Sequence, residues 1–284
     1  MEPLFCDTAL ALRIERAEAE FMAACAVAAK ARGADPRGFT MRVGGGVANF
    51  VEAGSPFNKV AGLGFAGVPD AVLDEIEQAF AAVGCPVEVE VSSLGDAALG
   101  VRLTERGYRL VSFENVLGRL LSDVPTYPSD VRPSPDDELP TWLDVVVEAF
   151  LHADVEGVTA HEQFSRTTLE TAERDQVTTA GTVRYLAWRE GTPVGGAAFR
   201  AADDGIAQFI GAATQPAHRR SGVQTALLTA RLADARAAGC ELAVVTTRPG
   251  SRSQHNVQRA GFQLLYSRAV LIREERQADT TFRS

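Results

Sequence analysis

Residues 215–225, Gln-Pro-Ala-His-Arg-Arg-Ser-Gly-Val-Gln-Thr, combine the features of an anion-binding turn. The apolar stretch before them, Ile206 to Thr214, suits a buried strand, and Val223 to Ala237 has helical spacing. A turn that opens a helix leaves N–H groups unpaired, and the helix dipole favours negative charge there. The two arginines add positive charge, and Gly222 lets a ligand approach the backbone. The sequence predicts a phosphate-binding loop; the alternative is a helix start that binds nothing.

The loop resembles the Q/R-x-x-G-x-G/A signature of the GCN5-related N-acetyltransferase (GNAT) superfamily, through Arg219-Arg220-Ser221-Gly222-Val223-Gln224. In that family the loop holds the pyrophosphate of acetyl-CoA. A strand over 241–247 and the later Ala260-Gly261-Phe262 are similar in order, and the resemblance covers about 128 to 274. Gln224 departs from the pattern, because a small residue is usual at that position.

The resemblance implies an N-acetyltransferase that uses acetyl-CoA as co-substrate, without a metal, and acetylates a primary amine of a small molecule or amino acid. It places the coenzyme along the strand before the loop and on the loop itself. Two residues of a later helix are candidates from position alone, with helix capping as the alternative role for serine there. The predicted cofactor-binding residues are Ala212, Ala213, Thr214, Arg219, Arg220, Ser221, Gly222, Val223, Gln224, Thr225, Ser253 and Asn256.

The groups that would move protons depart from the family pattern. Some relatives carry a glutamate as general base where this chain has Gln208, which cannot take up a proton at neutral pH. The frequent tyrosine that protonates the leaving thiolate is matched by Val257. Position alone offers Glu148 and His152, four residues apart on one helix, and Tyr266 as a donor to sulfur. The alternatives are an exposed helical pair and a buried tyrosine whose hydroxyl serves packing.

Two other functions follow from these departures. A CoA-binding regulatory or interaction protein without turnover is consistent with Gln208 and Val257. An unrelated phosphate-binding enzyme is disfavoured, because no metal-binding acids or lysine accompany the loop.

Composition narrows the class of protein. The chain has 284 residues, 46% of them hydrophobic, which predicts a globular protein of two domains. A net charge of −9 argues against a nucleic-acid partner. The four cysteines and four histidines lack metal-ligand spacing, so we expect free thiols in a reducing compartment. The early apolar run Phe21 to Ala29 is too short to span a bilayer, so we expect a cytoplasmic monomer or homodimer without a membrane partner.

The N-terminal part repeats the pattern of the C-terminal part. Gly84-Cys85 precedes Gly239-Cys240 by 239 − 84 = 155 positions, and Gly107 precedes Gly261 by 154. Two homologous units are therefore predicted, in which Asp70 of the first stands where an anion would bind. We expect an α/β fold of two tandem GNAT-like units, each a central mixed sheet flanked by helices. The predicted boundaries are a degenerate unit over 1–121, a proline-rich linker over 122–128, a catalytic unit over 129–274 and a tail over 275–284.

Local patterns predict the elements that position these residues. Apolar residues at helical spacing predict helices over residues 7–32, 69–84, 96–106, 139–152 and 162–174. A hairpin is predicted around Gly44-Gly45-Gly46, with a nucleotide-binding loop as the alternative, and a loop is predicted from Val155 to Ala160.

Overall fold

The computed structural model describes residues 4–123, 127–152, 157–158 and 161–274. The predicted tail, part of the predicted linker and most of the predicted loop at 155–160 lie outside these residues. The α-helices in the described ranges are α1 (Thr8–Arg32), α2 (Asp70–Val83), α3 (Ala97–Glu105), α4 (Leu139–Leu151), α5 (Arg166–Val177), α6 (Val223–Ala237) and α7 (Arg252–Arg259). The strands are β1 (Phe39–Val43), β2 (Gly46–Phe50), β3 (Val60–Leu63), β4 (Val87–Ser92), β5 (Arg109–Leu120), β6 (Val131–Pro133), β7 (Thr182–Arg189), β8 (Thr192–Ala201), β9 (Ile206–Thr214), β10 (Leu242–Thr247) and β11 (Gln263–Arg273).

All eleven of these strands form one continuous sheet in the order β1-β2-β3-β4-β11-β5-β10-β9-β8-β7-β6. The pairs β3–β4 and β9–β10 are parallel, and the other pairs are antiparallel. The predicted mixed α/β class is therefore confirmed. The sheets of the two units are joined edge to edge into a single one.

The two units exchange their last strands. Strand β5, from the first unit, lies between β11 and β10, and β11, from the second unit, lies between β4 and β5. The longest pairing is between these two strands, which run antiparallel from Gln263↔Gly118 to Ile272↔Arg109. The join between the units is therefore made of backbone hydrogen bonds as well as side-chain packing.

The internal repeat seen in the sequence is visible in the elements. Strand β4 begins at Val87 and β10 at Leu242, which are 242 − 87 = 155 positions apart. The helices that follow begin at Ala97 and Arg252, again 252 − 97 = 155 positions apart. Each half thus runs strand, helix, parallel strand, helix and final strand in the same order.

Helices cover both faces of the sheet. Apolar residues of α6 and α7 pack on one face of the second unit, and those of α2 and α3 pack on the same face of the first. The opposite face carries α1, α4 and α5. Neighbouring residues of one strand point to opposite sides of the sheet, so a single strand packs against both helix layers. For example, Ala197 and Phe199 of β8 face α6, whereas Ala198 faces α4.

Helix α1 belongs to the first unit but also reaches the second. Asp7 caps its N-terminus, because the Asp7 side chain accepts a hydrogen bond from Leu10 N at 2.8 Å. Gly33, with φ of 91°, caps its C-terminus. Along its length it contacts β2 and β3 of the first unit and α5 and β9 of the second. The predicted helix at 7–32 is therefore confirmed. In the described part of the chain, no helix is both long and apolar enough to cross a bilayer.

Candidate functional site

A cleft opens in the sheet where β9 and β10 part. The two strands pair only from Leu242↔Ile206 to Val244↔Gln208 and diverge beyond that point. In β9 the pairs Gly196↔Ala213 and Ala198↔Ile210 leave two residues, Gly211 and Ala212, opposite one residue of β8. This is a β-bulge, which bends its strand. The edge of β9 that faces β10 is therefore left without a ladder to that strand, and its backbone groups border the cleft.

The cleft encloses a cavity of about 340 Å³ with chemically different ends. Its walls are residues 209–212 of β9 and 244–246 of β10. One end is formed by Gln224 and Leu228 near the start of α6. The other end is formed by Glu18, Phe21 and Met22 of α1 together with Glu173 and Gln176 of α5.

The loop before α6 has the backbone geometry of an anion-binding turn. Gly222 is the residue before the helix, with φ of 83°, and Arg220 also has a positive φ of 62°. No side chain caps this helix start. Within the ranges that the structure describes, no oxygen accepts a hydrogen bond from the amides of residues 220–225. These amides are therefore available to an anionic ligand, and the phosphate-binding role of the loop stays a prediction.

The two arginines of the loop have different surroundings. The guanidinium of Arg219 donates hydrogen bonds to the carbonyl oxygens of Ala149 at 3.3 Å and His152 at 2.5 Å. Arg219 therefore ties the loop to the C-terminal end of α4, where carbonyl groups attract positive charge. Arg220 lies exposed on the loop, so its charge faces solvent at the helix start.

The other predicted cofactor-binding residues follow β9, α6 and α7. Ala212 and Gln224 line the cavity, and Thr214 Oγ1 lies 3.5 Å from Gln224 Oε1. The hydroxyl of Ser221 donates to the carbonyl of His218 at 2.6 Å. Ala213 and Val223 are buried in the packing below the cleft, and Thr225 is exposed on the first turn of α6. Ser253 lines the cavity from α7, and Asn256 lies half-buried one turn further along that helix.

The three predicted catalytic residues lie outside the cavity. The Nδ1 atom of His152 is 3.2 Å from Oε1 of Glu148, and Glu148 also pairs with Arg166 on the surface. This arrangement corresponds to the exposed helical pair given as the alternative. Tyr266 is 4% exposed, and its hydroxyl donates to Oε1 of Glu15 at 2.7 Å. The structure places that hydroxyl in a buried ionic cluster between α1 and β11.

Gln208 occupies the point where β9 and β10 part, and it connects the two units. Its Oε1 accepts a hydrogen bond from Arg200 Nη1 at 2.9 Å, and its Nε2 donates to Oε2 of Glu18 at 3.3 Å. Burial raises the pKa of Glu18. An amide suits this position, since it donates on one side and accepts on the other.

Glu173, which the sequence did not single out, is a buried acidic residue that lines the cavity. Its side chain projects from α5 and the residue is 7% exposed. Among the described residues, Oε2 of Glu173 has no hydrogen-bond partner. Burial raises its pKa to about 8. One signal was present in the sequence, because Glu173 shares the predicted helix face of Leu169 and Ala172, where an apolar residue is expected.

The cavity also contains a buried cation that the sequence did not single out. Arg231 of α6 donates to the carbonyl oxygens of Leu227 and Ala198, each at 3.2 Å, and lies over the ring of Phe209 at 4.7 Å. Burial lowers its pKa to about 9. Its hydrogen bonds to backbone carbonyls and its contact with the aromatic ring hold the side chain in place.

Comparison with known proteins agrees with this geometry. Residues 147–262 match the family described as the acetyltransferase (GNAT) family. A GCN5-related N-acetyltransferase from Kribbella flavida is 20% identical, with a TM-score of 0.61 over 90% of this chain and 97% of that one. A tandem GNAT protein from the clavulanic acid biosynthesis pathway is 14% identical, with a TM-score of 0.59 over 90% of this chain and 89% of the other. A GCN5-related N-acetyltransferase from Sphaerobacter thermophilus is 16% identical, with a TM-score of 0.51 over 72% and 67%. No curated protein sequence matches the chain.

The structural likeness extends over both units and establishes the fold, while the family match lies on the second unit, where the cleft and the loop are. Residues 147–262 are therefore similar to the acetyltransferase (GNAT) family, and the chain as a whole has the fold of these structural neighbours, one of which is a tandem GNAT protein.

Proposed function

We propose that the second unit, residues 129–274, binds acetyl-CoA and transfers its acetyl group to a primary amine of a small molecule or amino acid. The observation that carries this proposal is the set of unpaired amides at residues 220–225, which stand at one end of the open cleft between β9 and β10. The N–H groups and the charge of Arg220 would hold the pyrophosphate. The unpaired edge of β9 would hold the amide groups of the pantetheine arm.

The two ends of the cavity suit different ligands, the coenzyme at one end and the acceptor at the other. The loop end offers backbone donors and an arginine, which suit a diphosphate. The opposite end is lined by two carboxylates, Glu18 and Glu173, and by the apolar side chains of Phe21 and Met22. This end suits a small cationic amine, because carboxylates favour a positive charge when both are buried together. In this proposal the first unit contributes the wall of the acceptor pocket.

Calorimetric titration with acetyl-CoA tests the coenzyme site. We expect wild type to bind one acetyl-CoA, and Arg220→Ala to bind it about 3- to 30-fold more weakly, because one charge-assisted contact is lost. The matched control is Arg109→Ala, an exposed arginine on β5, which should bind as wild type does. Equal heats for wild type and Arg220→Ala would contradict the proposed position of the pyrophosphate, and no heat for wild type would contradict coenzyme binding altogether.

A second experiment separates this enzyme from a CoA-binding protein without turnover. Wild type with acetyl-CoA is incubated with ethylamine, butylamine, 1,4-diaminobutane and the common amino acids, and free CoA is measured by chromatography. Amine-dependent release of CoA supports acetyl transfer. Tight binding with no release above the amine-free rate would favour the regulatory function.

A further inference from the structure

We propose that Glu173 takes the proton from a primary ammonium acceptor that binds at the inter-unit end of the cleft. This inference rests on the proposed acetyl transfer and adds to it the group that activates the acceptor. The family position for such a base is Gln208 in this chain, and its amide is engaged by Arg200 and Glu18. Proton transfer therefore requires another group near the same point.

The position of Glu173 meets that requirement. Glu173 lines the cavity from α5, and its Oε2 lies against the bulge in β9. A Cβ atom at Gly211 would lie 2.9 Å from Oε2 of Glu173 and 2.9 Å from the ring of Trp142. Glycine at the bulge thus makes room for the carboxylate beside the strand edge where the thioester arm is proposed to lie.

In the described part of the chain, one carboxylate oxygen of Glu173, the buried Oε2, has no hydrogen-bond partner. The groups that face it are Gln176 on its own helix, the carboxylate of Glu18 and the thiol of Cys25 on α1, and Gln208 on β9. Of the nearby cations, Arg200 donates to Gln208 through Nη1 and Arg231 donates to backbone carbonyls. A buried polar atom without a partner is costly, and such atoms are uncommon in folded proteins. An ammonium group bound in the cavity would supply the missing donor.

The acceptor chemistry follows from the lining of the same end. Glu18 and Glu173 present two carboxylates to the cavity, and Phe21 and Met22 present apolar surface. An aliphatic amine with a short carbon chain satisfies both, because its charged end meets the carboxylates and its carbon chain meets the apolar side chains. An anionic acceptor would meet repulsion at this end when the two carboxyl groups are ionised.

The acceptor nitrogen loses two protons during the proposed transfer. The ammonium gives one proton to the carboxylate of Glu173, and the freed nitrogen lone pair forms a bond to the carbonyl carbon of the acetyl thioester. The bond between that carbon and sulfur breaks, and the electron pair leaves on sulfur as thiolate. The second nitrogen proton passes to the thiolate, which gives the amide and CoA. Glu173 then releases its proton to solvent. Burial raises the pKa of Glu173 to about 8, so the carboxylate that takes the proton becomes the main form only above that pH, and turnover should rise there.

The test compares Glu173→Gln, which keeps the shape but cannot accept a proton, with Glu173→Asp and with Glu170→Gln. Glu170 lies one turn earlier on α5, in a surface pair with Arg174, so its variant is the matched control. Three quantities are measured for each protein: acetyl-CoA affinity by calorimetry, kcat for CoA release with butylamine and 1,4-diaminobutane between pH 6 and 9.5, and the infrared titration of protonated carboxyl groups.

We expect Glu173→Gln to bind acetyl-CoA within about 2-fold of wild type while kcat falls by about 10²- to 10⁴-fold. The rise of kcat through a pKa near 8 should disappear in Glu173→Gln, persist in Glu170→Gln and be partly restored in Glu173→Asp. The infrared titration near the same pH should be missing only from Glu173→Gln. Wild-type turnover with an unchanged pH profile in Glu173→Gln overturns this inference alone. Failure of wild type to bind acetyl-CoA overturns the proposed function as well, and bound acetyl-CoA without transfer to either amine overturns the assigned acceptor.

Discussion

Arg268 of β11 and Glu15 of α1 form an ion pair with Nε to Oε1 at 2.7 Å, and both side chains are 1% exposed. The same glutamate oxygen accepts a hydrogen bond from the hydroxyl of Tyr266. Further carboxylates of β4 and β5 lie near the guanidinium, with Glu90 at 3.5 Å and Glu114 at 3.7 Å. The pair therefore joins the helix of the first unit to the strand contributed by the second, inside a cluster rich in acids.

Removing the carboxylate of Glu15 should destabilise the fold strongly. In Glu15→Ala, the guanidinium of Arg268 loses its shortest ion pair while it stays buried, and we expect a loss of about 3–5 kcal/mol in the free energy of unfolding. Urea unfolding followed by circular dichroism measures the change. The control is Glu20→Gln, which breaks the pair with Arg42 where both side chains are 57% exposed, and it should cost about 0–1 kcal/mol. A similar cost for both variants would contradict the importance of the buried pair.

Stability should fall as the pH rises from about 5 to 8. Burial and the neighbouring Glu90 raise the pKa of Glu114 from 4.5 to about 7, and burial raises that of Glu173 from 4.5 to about 8. Between the unfolded and folded pKa values the native state binds more protons than the unfolded state, so the stability contributed by these groups is present below about pH 4.5 and is lost through pH 7 and 8. Urea unfolding at pH 5, 6, 7, 8 and 9 checks this.

Two substitutions separate the contributions of the carboxylates to this pH dependence. Glu173→Gln should remove the part of the slope that lies closest to pH 8, and Glu114→Gln the part closest to pH 7, because each variant lacks the group that ionises there. A wild-type profile that is flat or rises over this range would show that neither group is protonated in the folded protein near neutral pH.

Alanine at Gly211 should impair both folding and the cleft. Its backbone has φ of 55°, and a new Cβ would meet Oε2 of Glu173 and the ring of Trp142, each at 2.9 Å. We expect a loss of about 1–3 kcal/mol in thermal or urea unfolding and a lower affinity for acetyl-CoA. The control is Gly100→Ala in α3, where a Cβ meets nothing within 4 Å. That variant should be neutral or more stable by up to about 1 kcal/mol, and the reverse order of the two variants would contradict the proposed packing.

The first unit should not bind a second coenzyme. At the start of α2, the amides of Val72 and Leu73 donate to the carbonyl of Pro69, and Asp70 places a carboxylate there beside Arg102. This helix start therefore has fewer open amides than that of the second unit, because the amide of Val72 is bonded whereas that of Thr225 is not, and it carries the negative charge of Asp70. Calorimetry should give one acetyl-CoA per chain, and the ratio should remain one in Asp70→Asn. A ratio of two would show that both units bind.

Much of the fold could be predicted from local sequence. The limits of β9 and α6 match the predicted segments because each is bounded by strong signals, the turn at Gln215 before the loop and Gly239 after the helix. Helix α5 begins four residues later than predicted, at Arg166, because the side chain of Ser165 accepts a hydrogen bond from Thr168 N and caps it. Turn and cap chemistry of this kind depends on neighbours only a few residues away.

The arrangement of the site depends on contacts distant in sequence. Helix α5 contains several acids, and its packing against α1, α4 and β9 decides that Glu173 is buried while Glu170 is only half-buried. Likewise, periodicity alone could not show that the hydroxyl of Tyr266 bonds Glu15, 251 positions away. The predicted catalytic roles of Glu148, His152 and Tyr266 remain predictions, and the geometry draws attention to Glu173 in their place.

The exchange of β5 and β11 sets an order of events during synthesis. When residues 109–120 leave the ribosome, neither of the two neighbours that they contact in the finished sheet, β10 and β11, has yet been translated. Until then, both edges of β5 in the nascent chain lack their partner strands. Unpaired strand edges of this kind promote aggregation and mispairing with other chains. Completion of both halves becomes a single late step, so a truncated or split form should require its missing half to be produced alongside it.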